Sequence, residues 1–190
     1  HALVEKTGLT ECEMETWREV QAKMYLPRKE GTKLLEQFEG YFELDNVTIE
    51  QYDENDWPVR PEALKTKKAS ETQITKQADV VMLLHLLGEE FDEETMKENY
   101  AYYEKRALHG SSLSPSIFSV MGLKVGDDSK AYRYLRRAAF IDLLNMQGNT
   151  REGIHAANTG GVWQTVVFGF AGVSQREDGM LKVRPNMPKE

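Results

Sequence analysis

Ala78-Asp79-Val80-Val81-Met82-Leu83-Leu84-His85-Leu86-Leu87 is the stretch that decides the fold class. Cap candidates Ser70 and Thr72 open the segment, and the spacing predicts a helix over Ser70–Leu87 whose second half is apolar on every side, hence buried all round. Gly153–Phe170, rich in small and apolar residues, reads the same way. Asp92–Arg106 and Asp127–Met146 each keep a polar face, and Tyr134, Leu135, Ala138, Ile141, Asp142 and Leu144 of the latter share the buried side. Buried helices alternating with half-exposed ones imply two concentric helical layers, so the fold class is mainly α.

The remaining segments fit around these helices. Thr10–Met24 is a predicted helix, with Thr10 and Glu13 spaced as a capping box and Met14, Trp17, Val20, Ala22 and Met24 on its apolar side. Leu34–Leu44, with Phe38, Tyr41 and Phe42 around Gly40, suggests a short β segment or hairpin. Asp45–Lys68 holds Trp57, Pro58 and Pro61 without a period and reads as a long ordered loop of the kind that lines a site. Pro115–Met121 begins with proline in its first turn. Met180–Pro185 after Gly179 reads as one strand.

A chain of 190 residues can bury one sizeable core. Its net charge of −7 argues against nucleic acid or an anionic membrane as the main partner, though not against a local anion pocket. Cys12 is the single cysteine, which excludes an intramolecular disulfide and a cysteine zinc site and is simplest in the cytoplasm. No stretch has the length of apolar sequence a membrane span needs. His1-Ala2-Leu3-Val4-Glu5 has neither a signal-peptide pattern nor an initiator Met, and is read as a boundary inside a longer protein.

Three constellations can carry chemistry. Lys76 and Gln77 sit in the opening turns of the predicted Ser70–Leu87 helix, where a cation opposes the helix dipole. Either Lys76 reaches solvent, or the pair faces a pocket where Gln77 offers donor and acceptor to hydroxyls. His109-Gly110-Ser111-Ser112-Leu113-Ser114-Pro115 leads into a helix. N-capping explains its serines, and so does an anion held by hydroxyls and backbone N–H groups. In the third, His155, Asn158 and Thr159 are spaced to share one helix face, followed by Gly160-Gly161. Adjacent helical glycines cost about 1 kcal/mol each, a cost that close approach to a helix or a ligand would explain. A core histidine accounts for His155 alone, less well for the polar run after it. The four histidines are scattered without metal-site spacing. There is also no nucleophile elbow, Walker loop or dinucleotide fingerprint.

Taken together, Ile74–Val80, Gly110–Ser116, Gly153–Ala157, Gly160–Gln164 and Leu181–Pro185, in that order, resemble the glycoside hydrolase family 65 enzymes, which include phosphorylases of maltose, trehalose, kojibiose and nigerose. The resemblance implies an (α/α)6 barrel, with residues 1–175 its C-terminal part and residues 176–190 the start of a small β domain. It implies that Lys76 and Gln77 contact the glucosyl unit. Phosphate then falls to Ser111, Ser112, His155, Thr159 and Gly160. It puts the general acid, a glutamate, on a segment before His1. The implied reaction is inverting: an α-glucosyl disaccharide plus phosphate gives β-glucose 1-phosphate plus glucose. Phosphate is a co-substrate and no cofactor is expected. The expected partners are these small molecules, the rest of the same polypeptide and a second copy in a homodimer. A hydrolase of the same fold, or a non-catalytic helical carbohydrate-binding domain, are the competing readings.

Overall fold

The computed structural model describes residues 2–175 and 179–188. It is mainly helical, as expected. Helices α1 (Ala2–Thr7), α2 (Glu11–Lys23), α3 (Asp79–Leu86), α4 (Glu93–Glu104), α5 (Ser114–Val125), α6 (Asp128–Phe140) and α7 (Ala156–Gln164) precede a hairpin of β1 (Val173–Gln175) and β2 (Leu181–Val183). The strands pair antiparallel, Val173 opposite Val183. Thus the expected C-terminal strand has a partner that sequence patterning did not mark. Gly172 makes the pairing possible: at φ +60° it lies so close to the next chain that a Cβ would stand 1.9 Å from the Arg184 carbonyl oxygen. The domain boundary expected after residue 175 falls beside residues 176–178, which lie outside the described residues.

α5 is the centre of the molecule. Every residue from Ser114 to Gly122 is buried, with α4 and α6 packed against it and α3 and α7 completing its surround. Phe118 and Met121 contribute to a core shared with Val81 and Leu84 of α3, Tyr100 and Tyr103 of α4 and Tyr134 of α6. Gly122 lets α6 approach: a Cβ there would lie 3.0 Å from the Tyr100 hydroxyl and 3.1 Å from the Ala131 Cβ. Helix starts follow local chemistry. The Thr10–Glu13 capping box forms, and the Asp92 and Asp127 carboxylates accept from Thr95 N and Lys130 N.

The structure corrects several expectations. Ser70–Leu87 is α-helical only from Asp79, after a 3-10 turn at Ala69–Glu71, because Thr72 and Thr75 enter parallel bridges, to Asp45 and Ala107. Three hydrogen bonds hold the second of these pairings: Thr75 N–H to Arg106 O at 2.8 Å, Leu108 N–H to Thr75 O at 2.9 Å, and Gly110 N–H to Lys76 O at 2.8 Å. Strand-like pairing suits Ile74 and Thr75, both β-branched. The extension expected within Leu34–Leu44 forms only at its start, where Leu35 bridges antiparallel to Arg28; the later part is a 3-10 turn, Tyr41–Glu43. Gly40 ends the extension there at φ +84°, and the buried Tyr41 hydroxyl donates to Gln73 O. α6 stops at Phe140 rather than Met146, its continuation broken by turns with Asn145 at φ +48° and Gly148 at φ +71°.

Gly153–Phe170 is helical from Ala156, becoming a π-helix over Thr165–Phe170. It is not buried all round: Trp163 is 57% and Ile154 73% exposed. Only the side carrying Asn158, Gly161 and Thr165 meets neighbouring helices, through Asn158 to Ala138 O, the close fit of Gly161 on Ser116, and Thr165 to Ser116 O. Leu86 and Leu87 at the end of α3 are exposed too, and α2 buries none of its apolar side. Among the described residues no helix is long and apolar enough to cross a membrane.

The Asp45–Lys68 loop is ordered as expected. Its backbone is tied to α4's end by Ile49 N–H to Lys105 O at 2.8 Å, and the Asp53 carboxylate accepts from Asn55 N at 2.9 Å and Trp57 N at 2.8 Å. A second anchor is Asn99, fully buried on α4. Its Nδ2 donates to Lys33 O at 2.9 Å and Thr95 O at 2.8 Å, and its Oδ1 accepts from Leu35 N at 2.8 Å. Asn99→Ala strands the Leu35 N–H and the Lys33 carbonyl. It is therefore expected to lower stability by about 2–4 kcal/mol, read by denaturant unfolding.

Candidate functional site

The pairing of Thr75 and Lys76 with Arg106–Gly110 brings two of the three constellations side by side. Gly110 lies under the Lys76 side chain, where a Cβ would meet Lys76 Cγ at 3.2 Å. Lys76 and Gln77 are exposed and precede α3 rather than opening it, so the reading that placed Lys76 against a helix dipole is replaced by an extended-chain position. Gln77 Nε2 donates to Asp79 Oδ1 at 2.8 Å and Gln37 Nε2 to Asp79 Oδ2 at 3.0 Å. Both Asp79 oxygens are thus engaged, while the Gln77 amide oxygen stays available. Gln77 and Asp79 line a cleft of about 110 Å³ together with Ser111, Leu113 and Ser114.

Ser111 and Ser112 are half-buried in the turn before α5, and neither caps it by side chain. The N-capping explanation for these hydroxyls therefore fails. Behind the turn lies a buried polar chain. The Tyr134 hydroxyl donates to Glu104 Oε1 at 3.1 Å, and Glu104 Oε2 takes Lys130 Nζ at 3.0 Å. Having given its hydrogen to Glu104, the Tyr134 oxygen accepts from His109 Nε2 at 3.3 Å. His109 Nδ1 is then the acceptor for the Ser114 hydroxyl at 2.8 Å. His109 is fully buried at φ +51°, and the Gln147 amide donates to its carbonyl at 3.3 Å. Burial, with the Arg137 charge second, pushes its imidazole down to about 3. Neutral His109 holds the serine turn from beneath.

The third constellation does not share one helix face. His155 lies just before α7, half-buried, with its Nδ1 2.6 Å from Asp142 Oδ1 and its backbone N–H donating to Asp142 Oδ2 at 2.8 Å. These hydrogen bonds, the imidazole's first, hold the Asp142 carboxyl below the usual carboxylate range. Asn158 turns inward and donates to Ala138 O at 2.7 Å. Thr159 is exposed. The two glycines divide the explanations offered for them. Gly161 permits helix contact, since a Cβ would stand 2.5 Å from Ser116 Oγ, whereas Gly160 has open space at that position. Gly161 seats the later half of α7 against Ser116 near the start of α5, so the third constellation reaches α5 through its glycines, while His155 is tied to Asp142. No hydrogen bond joins Ser111 or Ser112 to His155, Thr159 or Gly160 among the described residues. Nor does any group of acids, histidines and cysteine among them suit a metal ion. Sequence reasoning placed Asp142 on a buried helical side and assigned it no role; its signal was an acid on an otherwise apolar face.

Residues 1–164 match the Glycosyl hydrolase family 65 central catalytic domain, and the chain belongs to that family. It is 52% identical over its whole length to the kojibiose phosphorylase of Thermoanaerobacter brockii, of which it covers 24%. It is 36% identical over its whole length to the alpha,alpha-trehalose phosphorylase of Geobacillus stearothermophilus, again covering 24%. A solved structure from the human microbiome, provisionally assigned as a kojibiose phosphorylase, superposes with a TM-score of 0.77 at 32% identity, over 98% of this chain and 26% of that one. The chain therefore spans about a quarter of these relatives.

His109 also sets a pH dependence. Its folded value of about 3 lies below the ordinary 6.5, so the unfolded chain binds a proton the folded chain refuses between those pH values. Its contribution is complete above 6.5 and is lost as pH falls, at up to about 1.4 kcal/mol per pH unit for one proton. Burial lowers His85 as well, adding in the same direction. Unfolding measured from pH 7 to 4 is expected to show stability falling with pH, and His109→Gln to flatten the slope whatever it does at neutrality.

Proposed function

We propose that the protein is an inverting disaccharide phosphorylase that splits kojibiose or a closely related α-glucosyl disaccharide with inorganic phosphate, giving β-glucose 1-phosphate and glucose. The observation that carries this reading is the backbone pairing that sets Lys76-Gln77 beside the Ser111 turn, with Gly161 of the His155 segment seated on Ser116 of α5, in a chain similar throughout to phosphorylases. Residues 1–175 are then part of an (α/α)6 barrel and residues 176–190 open a small β domain. The exposed apolar side of α7, with Ile154 and Trp163, is where the rest of the same polypeptide packs.

In this scheme a general acid outside the present stretch protonates the departing sugar oxygen. An inverting hydrolase would add a carboxylate base and a water on the opposite face. Here phosphate takes their place, because it is already a nucleophile and needs only to be held in line. Lys76 and the free oxygen of Gln77 fix the glucosyl unit. Phosphate rests between the Ser111 and Ser112 hydroxyls, the N-terminus of α5, His155, and the Thr159–Gly160 backbone, where Gly160 leaves room. Of the two acids near these segments, Asp79 is committed to two glutamines, which supports phosphorolysis over hydrolysis, while Glu152 is exposed before His155.

Two measurements on the full-length enzyme test this. Lys76→Ala is expected to weaken transition-state binding by about 1.5–3 kcal/mol with every disaccharide accepted, read from kcat/KM; wild-type kinetics would return Lys76 to a solvated role. His155→Ala and Ser112→Ala are expected to raise the KM for phosphate far more than that for disaccharide. Release of free glucose without phosphate, or equal loss of both affinities, would make the hydrolase the better reading.

A further inference from the structure

The structure assigns Asp142 as a positioning residue that fixes the ring nitrogen His155 presents to phosphate, an inference resting on the phosphate site proposed above. Asp142 follows α6 in a turn and His155 precedes α7, so neither is held by a helix of its own at that point. One carboxylate spans both: Oδ2 takes the His155 backbone N–H at 2.8 Å and Oδ1 faces Nδ1 at 2.6 Å. The backbone bond sets where the residue stands and the ring bond sets how the imidazole turns. An ionised carboxylate only accepts, so Nδ1 keeps its hydrogen whether the ring is neutral or charged. Nε2 is left as the nitrogen that faces away from Asp142. Its one hydrogen-bond partner among the described residues is the Asn149 amide at 3.5 Å, at the outer edge of hydrogen bonding, and the His155 side chain keeps 20% of its surface exposed.

Charge favours the same arrangement. A ring protonated at both nitrogens gives Nδ1–H to Asp142 and Nε2–H to a phosphate oxygen, a charge-assisted bond on either side. An aspartate serving only as an anchor for the chain before α7 would need the backbone bond alone; the contact with Nδ1 separates the two roles. Asp142→Asn exploits that difference. Its single acceptor oxygen can keep the backbone bond, which turns its NH2 group toward Nδ1. An N–H facing Nδ1 repels a ring protonated there and selects the opposite neutral tautomer, Nε2–H.

Ring-nitrogen NMR of the full-length enzyme carrying isotope-labelled histidine tests this, with the His155 signals identified by their loss in His155→Gln. At alkaline pH the wild type is expected to show neutral His155 protonated at Nδ1, and Asp142→Asn to show it protonated at Nε2. Asp142→Asn is also expected to raise the KM for phosphate about tenfold, the scale of one charge-assisted hydrogen bond, with far less change for disaccharide. A wild-type ring protonated at Nε2 overturns the proposal without any variant having to fold. A wild-type phosphate KM in Asp142→Asn, with that of His155→Ala raised, also overturns it and leaves the phosphate site standing. If neither substitution raises it, the phosphate site itself is wrong and the proposal falls with it.

Discussion

Three backbone hydrogen bonds between Thr75–Lys76 and Arg106–Gly110 are the constraint on which the site depends. They join two segments 31 to 34 residues apart in strand-like pairing between helices and turn Lys76 and Gln77 toward the serine turn. Without them, Ile74 and Thr75 would have no reason to leave a helical path, and the Lys76 side chain would not lie across Gly110. The pairing also frees Asp79 to open α3 with both oxygens held by glutamine amides. The lysine, the glutamine and the serines are thus placed by main-chain bonding, which substitution of a neighbouring side chain perturbs little.

Beneath this pairing the site rests on α5, a helix buried along most of its length and reached closely at Gly122 and through Gly161 of α7. The hydrogen-bonded run from Lys130 through Glu104, Tyr134 and His109 to Ser114 gives every one of these buried polar groups a partner. Half-satisfied, such a run would cost more than an apolar core. Satisfied, it holds the serine turn in one conformation while His109 stays uncharged. Asp142 does for the third constellation what the backbone pairing does for the first, gripping main chain and ring of His155 at once.

Much was legible in sequence because it depends on neighbours along the chain. Thr10 with Glu13 marked the start of α2, proline in the first turn marked α5, and Trp57 with the two prolines marked an ordered loop. The motifs that carry the family resemblance survive as contiguous residues. Their order alone identified the family that the match over residues 1–164 establishes. Composition likewise placed the apolar helices, though not which of their sides meet another helix within this chain.

Tertiary structure decided the rest, through contacts between residues far apart in sequence. Periodicity cannot show that Thr72–Thr75 pairs with remote segments at Asp45 and Ala107, so it extended α3 back through Ser70. The i, i+3, i+4 spacing assumed one helix over His155, Asn158 and Thr159; the chain instead bends at His155, turning it to Asp142 while Asn158 points to α6. Gly160 and Gly161 look alike in sequence, yet only Gly161 is pressed against another helix. Local bonding and hydrophobic pattern determined which residues were available. Long-range backbone pairing and helix approach decided which of them share a site, because a nearest-neighbour pattern carries no record of the distant group that completes a hydrogen bond.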